Sequence, residues 1–316
     1  MTSDKIDLSI IIVSWNTRDL LKECLKSLYK YTANITFEVI VVDNNSSDGS
    51  AHMVREIFPS VNLIENNFNA GFSKANNQAI RISRGRYIAL LNPDTLLVED
   101  VFSPLIKYAD QHEELGAIGP KILDRDGKSV QYVCARRLPN LYYDLIDNLR
   151  LDKIAPKIFS GIYMSNWDHQ SPRFIEALSG ACMIIRRKII FDIGLLDENL
   201  FMYADDIDLC KRILDSGWKI YYVPKISIIH YGGESSKLAR SFVNIKQIES
   251  KYYYYSKHKG RSYAYLFFIE IFFINLFKYI WNKLFMHKST QFKEIFEIYK
   301  NNLNWLLKQF FRRLTI

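Results

Sequence analysis

Asn92-Pro93-Asp94 follows directly on an apolar run, Ile88-Ala89-Leu90-Leu91. Strand-forming side chains cut off by an amide, a proline and a carboxylate predict a buried parallel strand that delivers Asp94 to the carboxyl edge of a sheet. Open α/β sheets bind ligands at that edge, and a strand-end carboxylate there suits a divalent cation facing phosphate oxygens. Three other polar clusters stand at predicted strand ends: Ser14-Trp15-Asn16, the run from Asp43 through Asn44, Asn45, Ser46, Ser47, Asp48 and Gly49 to Ser50, and His230-Tyr231-Gly232-Gly233. Each alone also reads as ordinary turn, cap or strand-end chemistry. Parallel strands place their carboxyl ends together, so at least the clusters at Ser14, Asp43 and Asn92 should converge on one crevice.

The elements that must position these residues follow from periodicity. Residues 8–14 form a continuous apolar run, and Thr17 is placed to cap a helix whose core face is Leu20, Leu21, Cys24, Leu25 and Leu28. A second strand over 37–42 precedes a helix containing Ala51, Val54, Ile57 and Phe58. A short strand over 61–64 is followed by Asn69-Ala70-Gly71-Phe72-Ser73-Lys74-Ala75-Asn76-Asn77, which opens a third helix before the strand that carries Asp94. Alternating strands and helices predict a parallel sheet with right-handed crossovers. After a helix over 101–109, strands over 116–123 and 129–134 around Asp126-Gly127 predict a hairpin. Residues 137–172, with Pro139, Pro156 and Pro172, read as a long irregular segment, either a binding loop or disordered. An apolar stretch over 175–185 is broken by Ser179-Gly180, a helix starts at Asp205-Asp206 and ends at Gly217, and strands over 219–223 and 226–230 close the pattern.

With 316 residues, 48% of them hydrophobic, the chain can bury a large core, which excludes disorder throughout. Cys24, Cys134, Cys182 and Cys210 form no CxxC pair and read as reduced, structural thiols of a cytoplasmic protein. No cleavable signal sequence is expected, because residues 1–7 are polar and the apolar run after them is short. Residues 251–316 hold twelve Lys and Arg against three Glu, a net +9, whereas residues 1–250 hold thirty against thirty-one acids, a net −1. The tail interleaves this charge with aromatic and aliphatic residues at helical spacing, which favours an anionic membrane surface over nucleic acid. Within residues 264–285, Glu270, Asn275, Lys278 and Asn282 share one arc of about 140°, so an amphipathic helix lying in the interface is expected rather than a spanning one, with packing in the core or in a dimer as the alternative.

Taken in order, Ser14-Trp15-Asn16, Val42-Asp43-Asn44-Asn45, Asn69-Ala70-Gly71-Phe72 with Ala75-Asn76-Asn77, Asn92-Pro93-Asp94, Ala204-Asp205-Asp206-Ile207-Asp208 and His230-Tyr231-Gly232-Gly233-Glu234-Ser235 closely resemble the family 2 glycosyltransferases of GT-A fold, most of all their bacterial rhamnosyltransferase branch. The likeness spans roughly residues 7–240. It implies an α/β, Rossmann-like, mixed but mainly parallel sheet flanked by helices over 1–240, with a nucleotide-sugar half over about 1–120 and an acceptor half over about 121–240. Residues 241–316 would form a C-terminal amphipathic helical extension that associates with a membrane.

The resemblance also assigns roles. Asp43 would accept from the pyrimidine N–H, Ser14, Asn16 and Asn45 would line base and ribose, and Asn69, Gly71, Lys74 and Asn76 would approach the ribose and diphosphate. Asn92 stands where many relatives carry a first aspartate and suits ribose; Asp94 and His230 would hold Mg2+ or Mn2+. Asp205 aligns with a glutamate of the family and Asp206 with the catalytic base, both at a helix amino terminus whose dipole favours ionised carboxylates. Arg136, Arg137 and Gly180 fall where acceptor or donor-sugar contacts are built. The implied activity is an inverting, metal-dependent hexosyl transfer, most of all of L-rhamnose from dTDP-rhamnose to a hydroxyl of a polyprenyl-diphosphate-linked saccharide, in bacterial surface polysaccharide or O-antigen synthesis at the inner face of the cell membrane, without nucleic acid. Two alternatives stand beside it: a UDP-hexose or UDP-N-acetylhexosamine donor on the same fold, and a non-catalytic membrane-associated nucleotide-binding scaffold.

Overall fold

The structure, a computed structural model, describes residues 6–232, 240–285 and 290–314. Gly233, Glu234 and Ser235 of the last motif lie outside the described residues. In chain order the elements are β1 (Leu8–Ser14), α1 (Arg18–Tyr31), β2 (Phe37–Asp43), α2 (Ser50–Ile57), β3 (Asn62–Glu65), α3 (Phe72–Ile82), β4 (Tyr87–Leu91), β5 (Thr95–Leu97), α4 (Phe102–Gln111), β6 (Leu115–Leu123) and β7 (Ala135–Arg136). They continue with α5 (Leu141–Leu149), α6 (Leu151–Ile154), β8 (Arg173–Ile175), β9 (Ala177–Leu178), β10 (Cys182–Arg186), α7 (Arg187–Asp192), α8 (Asp205–Asp215), β11 (Lys219–His230), α9 (Arg240–Lys259), α10 (Arg261–Phe285) and α11 (Thr290–Leu314). Two compact units result, one of residues 1–138, 162–201 and 205–235, the other of residues 139–161, 202–204 and 236–316.

The first unit is built on a nine-stranded sheet in the order β3-β2-β1-β4-β10-β6-β11-β5, with β8 pairing to β11 beside that row. Strands β1, β2, β3 and β4 run parallel, as the apolar runs of β1, β2 and β4 favour when helices cover both faces. Ile10, Ile11 and Ile12 of β1, Val41 and Val42 of β2 and Leu90 of β4 are buried. The register sets Ser14 beside Asp43 and Ile12 beside Leu91, so the polar residues that follow share one edge. Strand β10 runs antiparallel between β4 and β6 and pairs Cys182 with Leu91, which returns the Ser179-Gly180-Ala181 turn to that edge. There Asn92 N–H donates to Ala181 O at 3.1 Å.

Three local expectations are corrected. Thr17 makes no side-chain cap to α1; its hydroxyl pairs with Ser14 Oγ at 2.9 Å, and Asp48 accepts from Arg18 N–H at 2.8 Å in its stead. The hairpin after β6 shrinks to a turn with one bridge, Leu123 to Val130, because Tyr132–Cys134 coils into a short 3-10 turn; the order of the sheet is broken by β10 instead. The two strands expected over 219–230 are one, β11, whose pairing with β6 slips between Val223 and Ser227 around Pro224, a residue that cannot donate to the ladder. Helix α2, which contains Ala51, Val54 and Ile57 as expected, buries Met53 and Val54 and leaves Ile57 46% exposed.

The second unit contains α5, α6, α9, α10 and α11. The segment 139–161, expected to be irregular, is largely helical: Asn140 Oδ1 accepts from Tyr143 N–H at 2.9 Å and caps α5. Buried Asp144 is satisfied by Lys251 Nζ at 2.8 Å and Tyr255 Oη at 2.5 Å, which ties α5 to α9. Helix α10 packs along α9 and α11.

Candidate active site

Asp43, the last residue of β2, is 4% exposed. One carboxylate oxygen accepts from Ser46 N–H at 2.9 Å; the other, Oδ1, is buried and has no hydrogen-bond partner. An orphaned carboxylate oxygen at a ligand-binding sheet edge is costly unless a donor arrives, and a pyrimidine N–H is a donor of that kind. Beside it the β1 and β2 loops brace one another. Asn16, in the left-handed region at φ 53°, accepts from Ser47 N–H at 2.8 Å, and Asn45 is exposed at φ 66°.

Asn44 links this corner to the start of α3. Its amide donates to Asn69 Oδ1 and Gly71 O, both at 3.2 Å, and its oxygen accepts from Asn66 and Ala70. Gly71 sits at φ 81°, and a Cβ there would lie 2.6 Å from the Phe201 ring, so backbone conformation and close approach both demand glycine. Asn76 donates to Phe72 O at 2.9 Å within α3, and Lys74 is exposed with its ammonium 5.5 Å from the Phe68 ring. Ser73 Oγ, in the first turn of α3, is buried without a partner.

Asp94 and His230 meet because β5 pairs with the end of β11, Thr95 opposite His230, and Tyr231 N–H donates to Asp94 O at 2.9 Å. Gln131 fixes the imidazole tautomer. Its amide nitrogen donates to His230 O at 2.7 Å, so its oxygen, 2.9 Å from His230 Nδ1, accepts a hydrogen bond from that N–H. In the neutral ring that leaves the lone pair on Nε2, which lies 3.1 Å from Asn92 Nδ2 and 3.2 Å from Asp94 Oδ1. A carboxylate oxygen and an imidazole nitrogen are both donors that Mg2+ or Mn2+ accepts, and these two stand close enough to serve as neighbouring ligands of one cation. Among the described residues no three His, Cys, Asp or Glu side chains cluster, so the Asp94–His230 pair would need substrate oxygens to complete a coordination shell. Asn92, expected near ribose, orients His230 here.

Asp206 lies in the first turn of α8. Its carboxylate accepts from Arg136 Nη2, from Gly180 N–H at 3.1 Å and from Ile207 N–H at 2.8 Å, which fixes its orientation. Arg136, 8% exposed on β7, keeps its Nε–H buried without a partner. The position of Gly180 is shared with Phe72, whose ring would be 3.7 Å from an added Cβ. Asp205 departs from expectation. Burial first, and the neighbouring Asp206 charge second, push its carboxyl up to about 7, so desolvation outweighs the helix dipole. Arg137 is half-buried, and its backbone N–H donates to Ile162 O at 2.9 Å.

Asp43, the Asn69–Phe72 turn, Gly180 with Asp206 and Arg136, and Asn92 with Asp94 and His230 are thus joined, contact by contact, along one sheet edge. Asn44, Gln131 and Phe201 were not foreseen. Asn44 adjoins Asp43 in a polar run and carried a signal; Gln131 and Phe201 matter only through long-range pairing.

Glycosyl transferase family 2 matches the chain over residues 9–191. The chain is 28% identical over 241 residues to N-acetylglucosaminyl-diphospho-decaprenol L-rhamnosyltransferase of Mycobacterium tuberculosis, covering 72% of this chain and 77% of that protein. It is 28% identical over 237 residues to rhamnosyltransferase WbbL of Escherichia coli, covering 72% and 84%. Among solved structures, mannosyltransferase PcManGT from Pyrobaculum calidifontis, in complex with GDP-Man and Mn2+, superposes with a TM-score of 0.56 at 14% identity, covering 95% of this chain and 85% of that one. GalNAc-T7 with UDP, GalNAc and Mn2+ gives 0.55 at 18% identity, covering 82% of this chain and about half, 52%, of that one. These two likenesses are of fold.

Proposed function

The chain belongs to glycosyl transferase family 2, and on that premise we propose that it transfers L-rhamnose from dTDP-rhamnose, with inversion, to a hydroxyl of a polyprenyl-diphosphate-linked saccharide in bacterial surface polysaccharide synthesis. The observation that carries the chemistry is the convergence of Asp43, the Asp94–His230 pair and Asp206 on one sheet edge. Asp43 Oδ1 accepts the pyrimidine N–H, and Gly71 lets the backbone approach the ribose and diphosphate. Asp94 and His230 are the residues that would hold Mg2+ or Mn2+, a charge that favours departure of a nucleotide diphosphate. Asp206 takes the proton from the acceptor hydroxyl as that oxygen attacks the anomeric carbon. Arg136 and the Gly180 N–H hold the carboxylate in place.

The sugar rests on the likeness to both rhamnosyltransferases, and the lipid acceptor on that to the Mycobacterium tuberculosis protein alone. Four free, buried cysteines support a reducing, cytoplasmic setting. The test is a donor panel: calorimetry of the full chain with dTDP-rhamnose, UDP-N-acetylglucosamine and UDP-galactose in the presence of Mg2+ or Mn2+, then turnover on a lipid-diphosphate saccharide. The proposal expects dTDP-rhamnose to bind most tightly and alone to be turned over. Preferred binding and turnover of a UDP-sugar contradicts it.

A further inference from the structure

Helix α10 is amphipathic in the reverse sense from the one its sequence invites. The polar arc is turned inward: Asn275 is 3% and Asn282 7% exposed, and each amide donates to a carbonyl one turn back at 2.7 Å. Asn275 Oδ1 also accepts from Asn302 of α11 at 3.0 Å, which pins the two helices together through a buried polar contact. Glu270 stands at the border between this packed face and the exposed one, with its Oε1 buried. Ala264, Phe267, Ile271 and Ile274 fill the rest of the packed face.

The opposite face is apolar and bare. Leu266, Ile269, Phe273, Phe277, Ile280 and Leu284 are between 37% and 68% exposed, and at 100° per residue they fall within about 80° of arc. Their spacing of three or four residues makes one unbroken stripe, roughly 27 Å long at the helical rise. Trp281, 53% exposed, borders it near the carboxyl end. A continuous apolar stripe of this kind is far from the scattered single apolar side chains of an ordinary surface. At its two ends stand the exposed cations Lys259, Arg261 and Lys283.

We propose that the outer stripe of α10 is a docking surface for an anionic bilayer, entered side-on so that the helix lies along the interface. Charge selects this occupant. Residues 251–316 carry a net +9, which attracts anionic headgroups and repels the same face of a second copy. A nucleic acid would use the cations and leave the stripe in water. A spanning arrangement is opposed by α11, which is fastened along α10 and exposes Lys293, Glu294, Glu297 and Lys300, charges that hydrocarbon does not accept. The inference stands on the second unit alone and holds whatever sugar the first unit transfers.

The test uses the full chain and its Phe273→Asp/Phe277→Asp variant, both changes being at exposed positions. Flotation is measured with vesicles of equimolar phosphatidylglycerol and phosphatidylcholine, and with phosphatidylcholine alone. The wild type should float with the anionic vesicles at low salt and much less with the neutral ones, and the variant should lose binding by roughly tenfold or more. An unchanged circular dichroism spectrum and unchanged nucleotide-sugar affinity certify that the variant is folded. Anionic-vesicle binding that survives in the variant overturns the proposal. So does a wild type that ignores vesicles and is a dimer which the variant dissolves, because the stripe would then belong to a second copy.

Discussion

Asp205 and Asp206 are neighbours in sequence with opposite environments. Asp206 is met by three N–H donors, while Asp205 is buried and titrates near 7. Asp205→Asn imitates the protonated form and should keep transfer within about tenfold of wild type at pH 6. Arg136 acts on the reaction through Asp206. Arg136→Gln should lower kcat by about tenfold to a hundredfold with little change in donor KM. Arg136→Lys should restore part of that loss. An unchanged kcat would show the ion pair to be structural only. At this scale the sequence disclosed which residue types stand at strand ends, since each follows an apolar run. It did not disclose their partners: that Asn92 turns to His230, or that Gln131 sets the imidazole tautomer, depends on β5 and β11 meeting from distant parts of the chain.

Among the elements, those with a period of their own were legible. Strands β1 to β4 and helix α4 emerged within about two residues of expectation, and α1 to α3 follow their strands in the expected order, because continuous apolar runs and three-to-four spacing encode them locally. Strand β10 and the single long β11 were not separable, since neither antiparallel insertion nor a strand that continues through Pro224 leaves a local mark. The turn before α3 gives a prediction at this scale. Gly71→Ala places a side chain at φ 81° and against Phe201, so it should cost about 1–3 kcal/mol in thermal unfolding and weaken donor binding together. Helix α10 gives another. Burial, with a smaller push from Asp144, raises Glu270 to about 7 from an ordinary 4.5. Between those values the unfolded chain releases a proton that the folded chain keeps, so this residue makes stability fall as pH rises through the window. Glu270→Gln should flatten that part of the Tm-against-pH curve and raise Tm at pH 8; an unchanged slope would contradict the assignment.

For the whole molecule, a near-neutral sheet domain and a strongly basic helical unit share one chain. The division of charge was plain in the sequence, and so was the convergence of strand ends, because parallel topology forces it. Which face of α10 would be buried was not, since a helical period shows that two faces differ and says nothing about which one finds a partner. The enzymatic account depends on one carboxylate at that converged edge. Its most direct test is Asp206→Asn, with donor affinity measured by calorimetry and transfer by single-turnover kinetics. Donor affinity should stay at the wild-type value while transfer falls by about a thousandfold or more; transfer near the wild-type rate would contradict the assignment of Asp206 as the base.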